Sequence, residues 1–425
     1  FTLTVTGTTA EDGTTASSTT TLDVTVTGVA DTPTVTVNDA SGTEDQPIAL
    51  DIGGAVTDEG ESLALVVSDI PDGAVLTDGT NTFTATSSDG DVDVTGWDLT
   101  SLTVTPPANS DVDFDLTVTA TSSEDGTTAT NSGSLTVSVA ADADAPTLTM
   151  GTTASGDEDT AIDLPDVSAG LTDTDGSESL SLSIGGIPDG AVLTDGTNTF
   201  TATSSDGDVD VTGWDLTSLQ VTPPADSDVD FNLSVTSTST EGTGGDTAST
   251  VGSIAVSVAP DADAPTLDVG SGTASGTEDT AITLPDVSSG LTDTDGSESL
   301  ALSISGIPEG AVLTDGTNTF TASSGNTSAD MSGWDLTSLE ITPPADSDAD
   351  FALSVTSTST DGTDTATTAG TINVSVAADA DAPTLDVGTG TASGTEDTAI
   401  NLPDVSSGLT DTDGSESLSL SIGGI

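Results

Sequence analysis

The side chains able to do chemistry in this sequence are carboxylates, and they recur in three groups. The first is Asp142-Ala-Asp144-Ala-Pro146, which returns at Asp261 and Asp263 and again at Asp379 and Asp381. The second is Glu-Asp-Thr, at Glu44-Asp45, Glu158-Asp159, Glu278-Asp279 and Glu396-Asp397. The third is Asp-Thr-Asp-Gly-Ser-Glu, which supplies Asp173, Asp175 and Glu178, then Asp293, Asp295 and Glu298, then Asp411, Asp413 and Glu416. Its first copy reads Thr57-Asp58-Glu59-Gly60-Glu61, which keeps the charge and alters the spacing. All three groups carry turn chemistry, with Asp beside Gly or ahead of Pro.

Nothing in the chain can neutralise them. Asp and Glu number 72 against no Lys, Arg or His, for a formal net charge of -72. Carboxylates gathered within a few ångströms repel, and relief comes from protonation, from water and salt, or from a bound metal. Oxygen-only ligands on flexible Asp-rich loops suit Ca²⁺, which takes six to eight oxygens; Mg²⁺ or Mn²⁺ would compete with a poorer match to rigid octahedral geometry. The residues of the three groups are therefore candidate calcium ligands. They do not form an EF-hand, because the loop lacks its Gly at position 6 and its Glu at position 12, and no segment fits the Gly-Gly-x-Gly-x-Asp nonapeptide. Two other runs, Asp206, Asp208, Asp210 and Asp226, Asp228, Asp230, alternate at a spacing of two. On a straight strand such residues stand ~6.6 Å apart, too far to chelate one ion unless they curl in a loop, and the first run reads as a solvated face. The third copy keeps Asp330 of the first run and has lost the rest.

The same inventory excludes several classes of function. Nucleic acid and anionic lipid both require basic side chains, so neither is a partner, and no membrane insertion is expected of this segment. Without Cys or His there is no disulfide, no thiolate nucleophile and no imidazole base. A glycosidase-type carboxylate pair survives the inventory. Near-identical copies of one site, with no Arg, Lys or His to orient a substrate, argue against it, and the chain reads as non-enzymatic. No apolar run approaches the ~20 residues of a membrane span, and no signal-peptide pattern opens the chain. It starts in a strand-like pattern and reads as a stretch of something longer. The absence of Lys also rules out a Lys-Asn isopeptide bond, and the absence of Lys and Arg leaves trypsin no site. The sequons at Asn232, Asn326 and Asn373 fall at different places in the repeat and read as accidental.

Internal repetition shows what must position these groups. Residues 70–102 reappear unchanged as residues 187–219, and a drifted copy begins at Ile307. Trp97, Trp214 and Trp334 are spaced by 117 and 120 residues. A period of about 118 residues is too long for a solenoid turn and matches a separately folding domain. The junction motif sets whole repeats at 31–141, 142–260 and 261–378, with the C-terminal part of a repeat at 1–30 and the N-terminal part of another at 379–425. Leu180, Leu182 and Ile184 alternate with Ser, and Phe231, Leu233, Val235 and Ile254, Val256, Val258 behave likewise, which is the period of a strand with one buried face. Thr fills the polar positions as a β-branched strand former, and no helical period occurs. The predicted fold is all-β, a tandem array of Ig-like or cadherin-like β-sandwich domains. The Trp in each Gly-Trp-Asp-Leu-Thr-Ser-Leu, and Phe83, Phe200 and Phe320, read as core anchors in preference to a sugar-stacking platform.

Glu-Asp-Thr-Ala-Ile, followed about 14 residues later by Asp-Thr-Asp-Gly-Ser-Glu-Ser-Leu-Ser-Leu, resembles the cadherin-like repeats of giant bacterial RTX-type, type I secreted adhesins. Ile-Pro-Asp-Gly-Ala and Leu-Thr-Ser-Leu-x-Val-Thr-Pro-Pro-Ala-Asp-Ser resemble the same repeats, so the likeness covers every whole unit. The resemblance implies calcium shared at each domain junction by the Glu-Asp pair, the Asp-x-Asp-Gly loop and the linker. In this chain those are Glu158, Asp159, Asp173 and Asp175 with Asp142 and Asp144, and their copies.

The function expected is an extracellular stalk, secreted or anchored to a bacterial surface, whose repeats are made rigid by calcium and support adhesion or biofilm formation. Its partners are further repeats of the same chain, or other copies laterally or end to end, with the surface ligand unspecified. The alternatives are a self-assembling filament or surface sheath, and a repeat that itself binds carbohydrate, ice or a host surface.

Overall fold

The computed structural model describes every residue except Thr243, Thr412 and Ile425. The chain is a tandem array of all-β sandwiches, and among the described residues the one helical element is a 3-10 turn at Leu99–Ser101. Alternation decides each strand's faces. In Phe231–Glu241, Leu233 and Val235 point inward with no exposure, while Ser234 and Thr236 face outward. Thr247–Ala259 pairs with it antiparallel, aligning Leu233 with Ile254 and Phe231 with Val256.

In the second repeat the five-stranded sheet runs, edge to edge, Thr153–Asp157, Thr247–Ala259, Phe231–Glu241, Glu178–Gly185, Val209–Asp210. The four-stranded sheet runs Ile162–Asp163, Gln220–Thr222, Val192–Thr194, Thr199–Thr201. Their inner faces share one core, where Ile184, Leu233 and Ile254 of the first sheet meet Ile162, Leu193 and Val221 of the second. The first and third repeats repeat the same two sheets around cores of their own. Trp97, Trp214 and Trp334 are partly buried against these cores. Burying a side chain such as Leu233 contributes about 2 kcal/mol.

Two features carry the acidic groups to the ends of the sandwich. One is the edge strand Thr153–Asp157, which pairs in parallel with Thr247–Ala259, and the Glu158 N–H extends that ladder to the Ala259 carbonyl at 3.0 Å. The chain then crosses to the other sheet through Asp159, whose φ of +54° is a left-handed turn, before Ile162. The crossing needs a glycine: a Cβ on Gly156 would stand 2.8 Å from Ile162 Cγ1. The Glu-Asp pair is therefore delivered to the pole where the linker at 260–263 leaves. The other feature is the Phe231–Glu241 row itself, whose inward positions continue as Ser237, Ser239 and Glu241 and so turn from apolar to acidic toward the opposite pole.

Asp78, Asp195 and Asp315 serve a purely structural turn in each unit. Asp195 accepts from the N–H groups of Thr197 at 2.8 Å, Asn198 at 2.6 Å and Asp215 at 2.9 Å, and from Asn198 Nδ2 at 2.9 Å. These donors hold its carboxyl well below the usual carboxylate range. Segment 1–30 contains an exposed hairpin of Thr2–Glu11 and Thr14–Asp23, and segment 379–425 a ribbon of Thr384–Asp386 with Ser406–Gly408.

Candidate metal centres at the joints

Each linker is held by two glutamates, one from each side, through two different backbone amides. At the joint between the first and second units, Glu44 Oε1 accepts the Asp142 N–H at 2.9 Å, and Glu178 Oε1 accepts the Asp144 N–H at 2.7 Å. Ser239 Oγ of the second unit donates to the Asp144 carbonyl. The next joint repeats the pattern, with Glu158 on Asp261 at 2.9 Å, Glu298 on Asp263 at 2.7 Å and Ser359 on the Asp263 carbonyl. The third has Glu278 on Asp379 at 2.7 Å and Glu416 on Asp381 at 2.6 Å.

These bonds orient the glutamates and leave half of each carboxylate over. Buried and without a partner are Oε2 of Glu44, Glu158, Glu178, Glu241, Glu278, Glu298 and Glu416, and Oδ2 of Asp361. A buried carboxylate oxygen without a donor costs several kilocalories per mole unless something positive meets it.

Two of these glutamates converge with an aspartate at the first joint. Oxygens of Glu44 from one unit and of Asp173 and Glu241 from the next lie within 4.8 Å of one another, with each residue 2 % exposed. At an effective dielectric of about 20, each such pair of charges repels by about 3 kcal/mol. Burial, then Asp173 and Glu241, push the Glu44 carboxyl up to about 7 although the Asp142 N–H opposes them. At the second joint burial raises Glu158 to about 7, with Asp361 across the joint adding like charge. At the third, Glu278 and Asp411, the counterparts of Glu44 and Asp173, form a trio with Asp413.

A different kind of trio occurs at the second joint, and at the third it lies beside the first kind. Oxygens of Asp159, Asp226 and Asp263 lie within 4.8 Å of one another, as do those of Asp279, Asp346 and Asp381. Asp226 is raised by burial and by Asp159, Asp293, Asp263 and Asp295, so the acids gathered at the second joint act as one anionic field. Oxygen-only donors, buried unpartnered lone pairs and surplus charge fit a hard divalent cation.

The sequence-predicted residues divide accordingly. Glu44, Asp173, Asp159, Asp263, Glu278, Asp411, Asp413, Asp279 and Asp381 enter the trios, and Glu158, Glu178, Asp293, Glu298 and Glu416 surround them. Asp45 and Asp144 face each other at the first joint, where burial and then the like charge of Asp45 raise Asp144. Asp142, Asp261 and Asp379 offer their N–H groups to the glutamates while remaining exposed. Asp175 and Asp295 are exposed, and their Oδ1 atoms accept from Ser177 N and Ser297 N at 2.7 Å. Glu396 and Asp397 are exposed and join none of the four trios.

Two sets of residues add to the reading above. Asp226 does curl in a loop, as does its counterpart Asp346 in the third unit: φ values of +56° and +57° turn the chain and bring their carboxylates onto the Glu-Asp pair of the same unit. Glu241 and Asp361, at the tip of the long hairpin, are ligand candidates that the motifs did not single out. Their signal is strand parity, since they sit on the row of Leu233, Val235, Ser237 and of Leu353, Val355, Ser357. The altered loop at 57–61 still works in the same manner, because Glu61 Oε1 accepts the Asp31 N–H, with Asp58 and Glu124 close by.

No protein-family model and no curated protein matches the chain. Among solved structures it is similar to Drosophila N-cadherin EC1-4, at 14% identity over 88% of this chain and 83% of that one, with a TM-score of 0.29. It is also similar to human protocadherin-24 EC1-2, at 13% identity over 55% of this chain and 100% of that one (TM-score 0.27). A third similar structure is the zebrafish RET cadherin-like domains 1 to 4, at 10% identity over 75% and 66% (TM-score 0.17). At such scores the fold assignment rests on the sheets themselves and the site on its carboxylates.

Proposed function

We propose that the chain is a stretch of a non-enzymatic extracellular stalk, in which calcium clamps successive sandwiches at their linkers. One observation carries this reading: Glu44 of one unit, with Oε2 buried and unpartnered, meets Asp173 and Glu241 of the next in a chain without a single Lys, Arg or His. Bound there, Ca²⁺ supplies charge neutralisation and a shared coordination shell. The chain's own residues do the rest. Glu44 and Glu178 fix the linker backbone, Ser239 ties it to the second unit, and the trio spans the joint.

Extracellular modules bind calcium at ~10⁻⁴ to 10⁻³ M, so such joints load outside cells. The proposal extends to a bacterial surface adhesin of the RTX type, where a stiff array holds a binding tip away from the cell and supports adhesion or biofilm formation. A filament built by strand addition is disfavoured, because the sheet edges are short: Val209–Asp210, Thr153–Asp157, Ile162–Asp163 and Thr199–Thr201. A thermal melt of the whole chain in millimolar calcium and in chelator tests the reading. A markedly higher melting temperature in calcium is expected, and coincident melts would refute it.

A further inference from the structure

Asn109 stands where the other two joints have an aspartate. The turns are otherwise alike, with φ of +56° at Asn109, +56° at Asp226 and +57° at Asp346. The N–H of each donates to the aspartate of its Glu-Asp pair, at 3.1 Å to Asp45, 3.0 Å to Asp159 and 3.1 Å to Asp279. The difference lies in the side chains. Asp226 and Asp346 add a carboxylate to a trio with Asp263 and Asp381, whereas Asn109 sends Nδ2 across the joint to the Thr172 carbonyl at 3.2 Å. Thr172 directly precedes Asp173, a member of the buried trio with Glu44 and Glu241. An ionised aspartate has no donor and cannot make that bond.

We propose that Asn109 makes the first joint the weak cation site of the array and holds it by a direct hydrogen bond in place of a ligand charge. The proposal rests on the calcium reading above and deepens it. The first joint retains Glu44 and Glu241, whose Oε2 atoms are buried and unpartnered, so it still binds. What it lacks is one of the three charges of the neighbouring trio. Calcium affinity of oxygen sites follows ligand charge count and rigidity, and one charge fewer weakens the site by roughly tenfold. As calcium rises, the joints at 261–263 and 379–381 fill first and the joint at 142–144 fills last. The array therefore stiffens in a set order, with the first joint positioned by Asn109 before it is loaded.

Calcium titration of the whole chain by calorimetry tests this, comparing the unaltered protein with Asn109→Asp and Asp226→Asn. The backbone accepts both changes, since Asp and Asn already occupy the same φ. The unaltered chain is expected to show a weak class of sites roughly tenfold below the strong one. Asn109→Asp should tighten that class into the strong one, and Asp226→Asn should move further sites into the weak class. An unchanged weak class in both variants would overturn the inference while leaving calcium clamping intact. Absence of any calcium binding by the unaltered chain would overturn both.

Discussion

The backbone N–H of Asp261 donates to Glu158 Oε1 at 2.9 Å, while Oε2 of the same carboxylate is buried without a partner. One oxygen thus holds the linker and the other faces Asp361 of the following unit. Removing the charge should have opposite effects with and without cation. Glu158→Gln is expected to stabilise the chelated protein by about 1–3 kcal/mol, because the amide relieves repulsion and offers donors where none exist. In millimolar calcium the same variant should melt below the unaltered protein. Paired melts of the two proteins in each condition check both signs.

Stability in chelator should fall on both sides of mildly acid pH. Glu44 and Glu158 rise from 4.5 when unfolded to about 7 when folded, so folding favours their protonated forms. Their contribution is fully present below pH 4.5 and is lost as pH climbs through about 7. Asp78, Asp195 and Asp315 are depressed by their hydrogen-bond donors, so their contribution is present above the unfolded value of 3.8 and is lost as pH falls toward the folded one. Melting temperatures across pH 3 to 9 in chelator should peak between the two unfolded values, 3.8 and 4.5. Calcium should abolish the alkaline decline and leave the acid limb in place.

Gly156 ties the fold to the site. Gly156→Ala would push a Cβ against Ile162 Cγ1, 2.8 Å away, two residues before Glu158. A cost of about 1–3 kcal/mol is expected in urea unfolding. Calcium affinity should weaken as well, because Glu158 is carried on the same strand end. Ile162→Ala in the Gly156→Ala background should recover part of the loss through a favourable coupling energy.

Much of this was legible in the residues. The alternation of Leu233, Val235, Ile254 and Val256 announces strands with one buried face, and the fold class follows from it. Glu44-Asp45 and Asp173-Thr-Asp175-Gly announce turns with spare charge. Glu241 and Asp361 were hidden because each is a single acid among Ser and Thr, and only the register of a long strand aims it inward. Asp226 was hidden because alternate spacing suggests a straight strand, while one left-handed residue in the turn bends it. The parallel pairing of Thr153–Asp157 with Thr247–Ala259 spans about a hundred residues of sequence, and no local pattern encodes it.

Small-angle scattering of the whole chain, recorded in millimolar calcium and again in chelator, tests the central claim most directly. The account predicts an extended particle of well-defined maximum dimension in calcium, and a broader distribution of dimensions once the cation is removed and the joints repel. Superimposable profiles in the two conditions would contradict it, and the acidic joints would then be solvated charge with no clamping role.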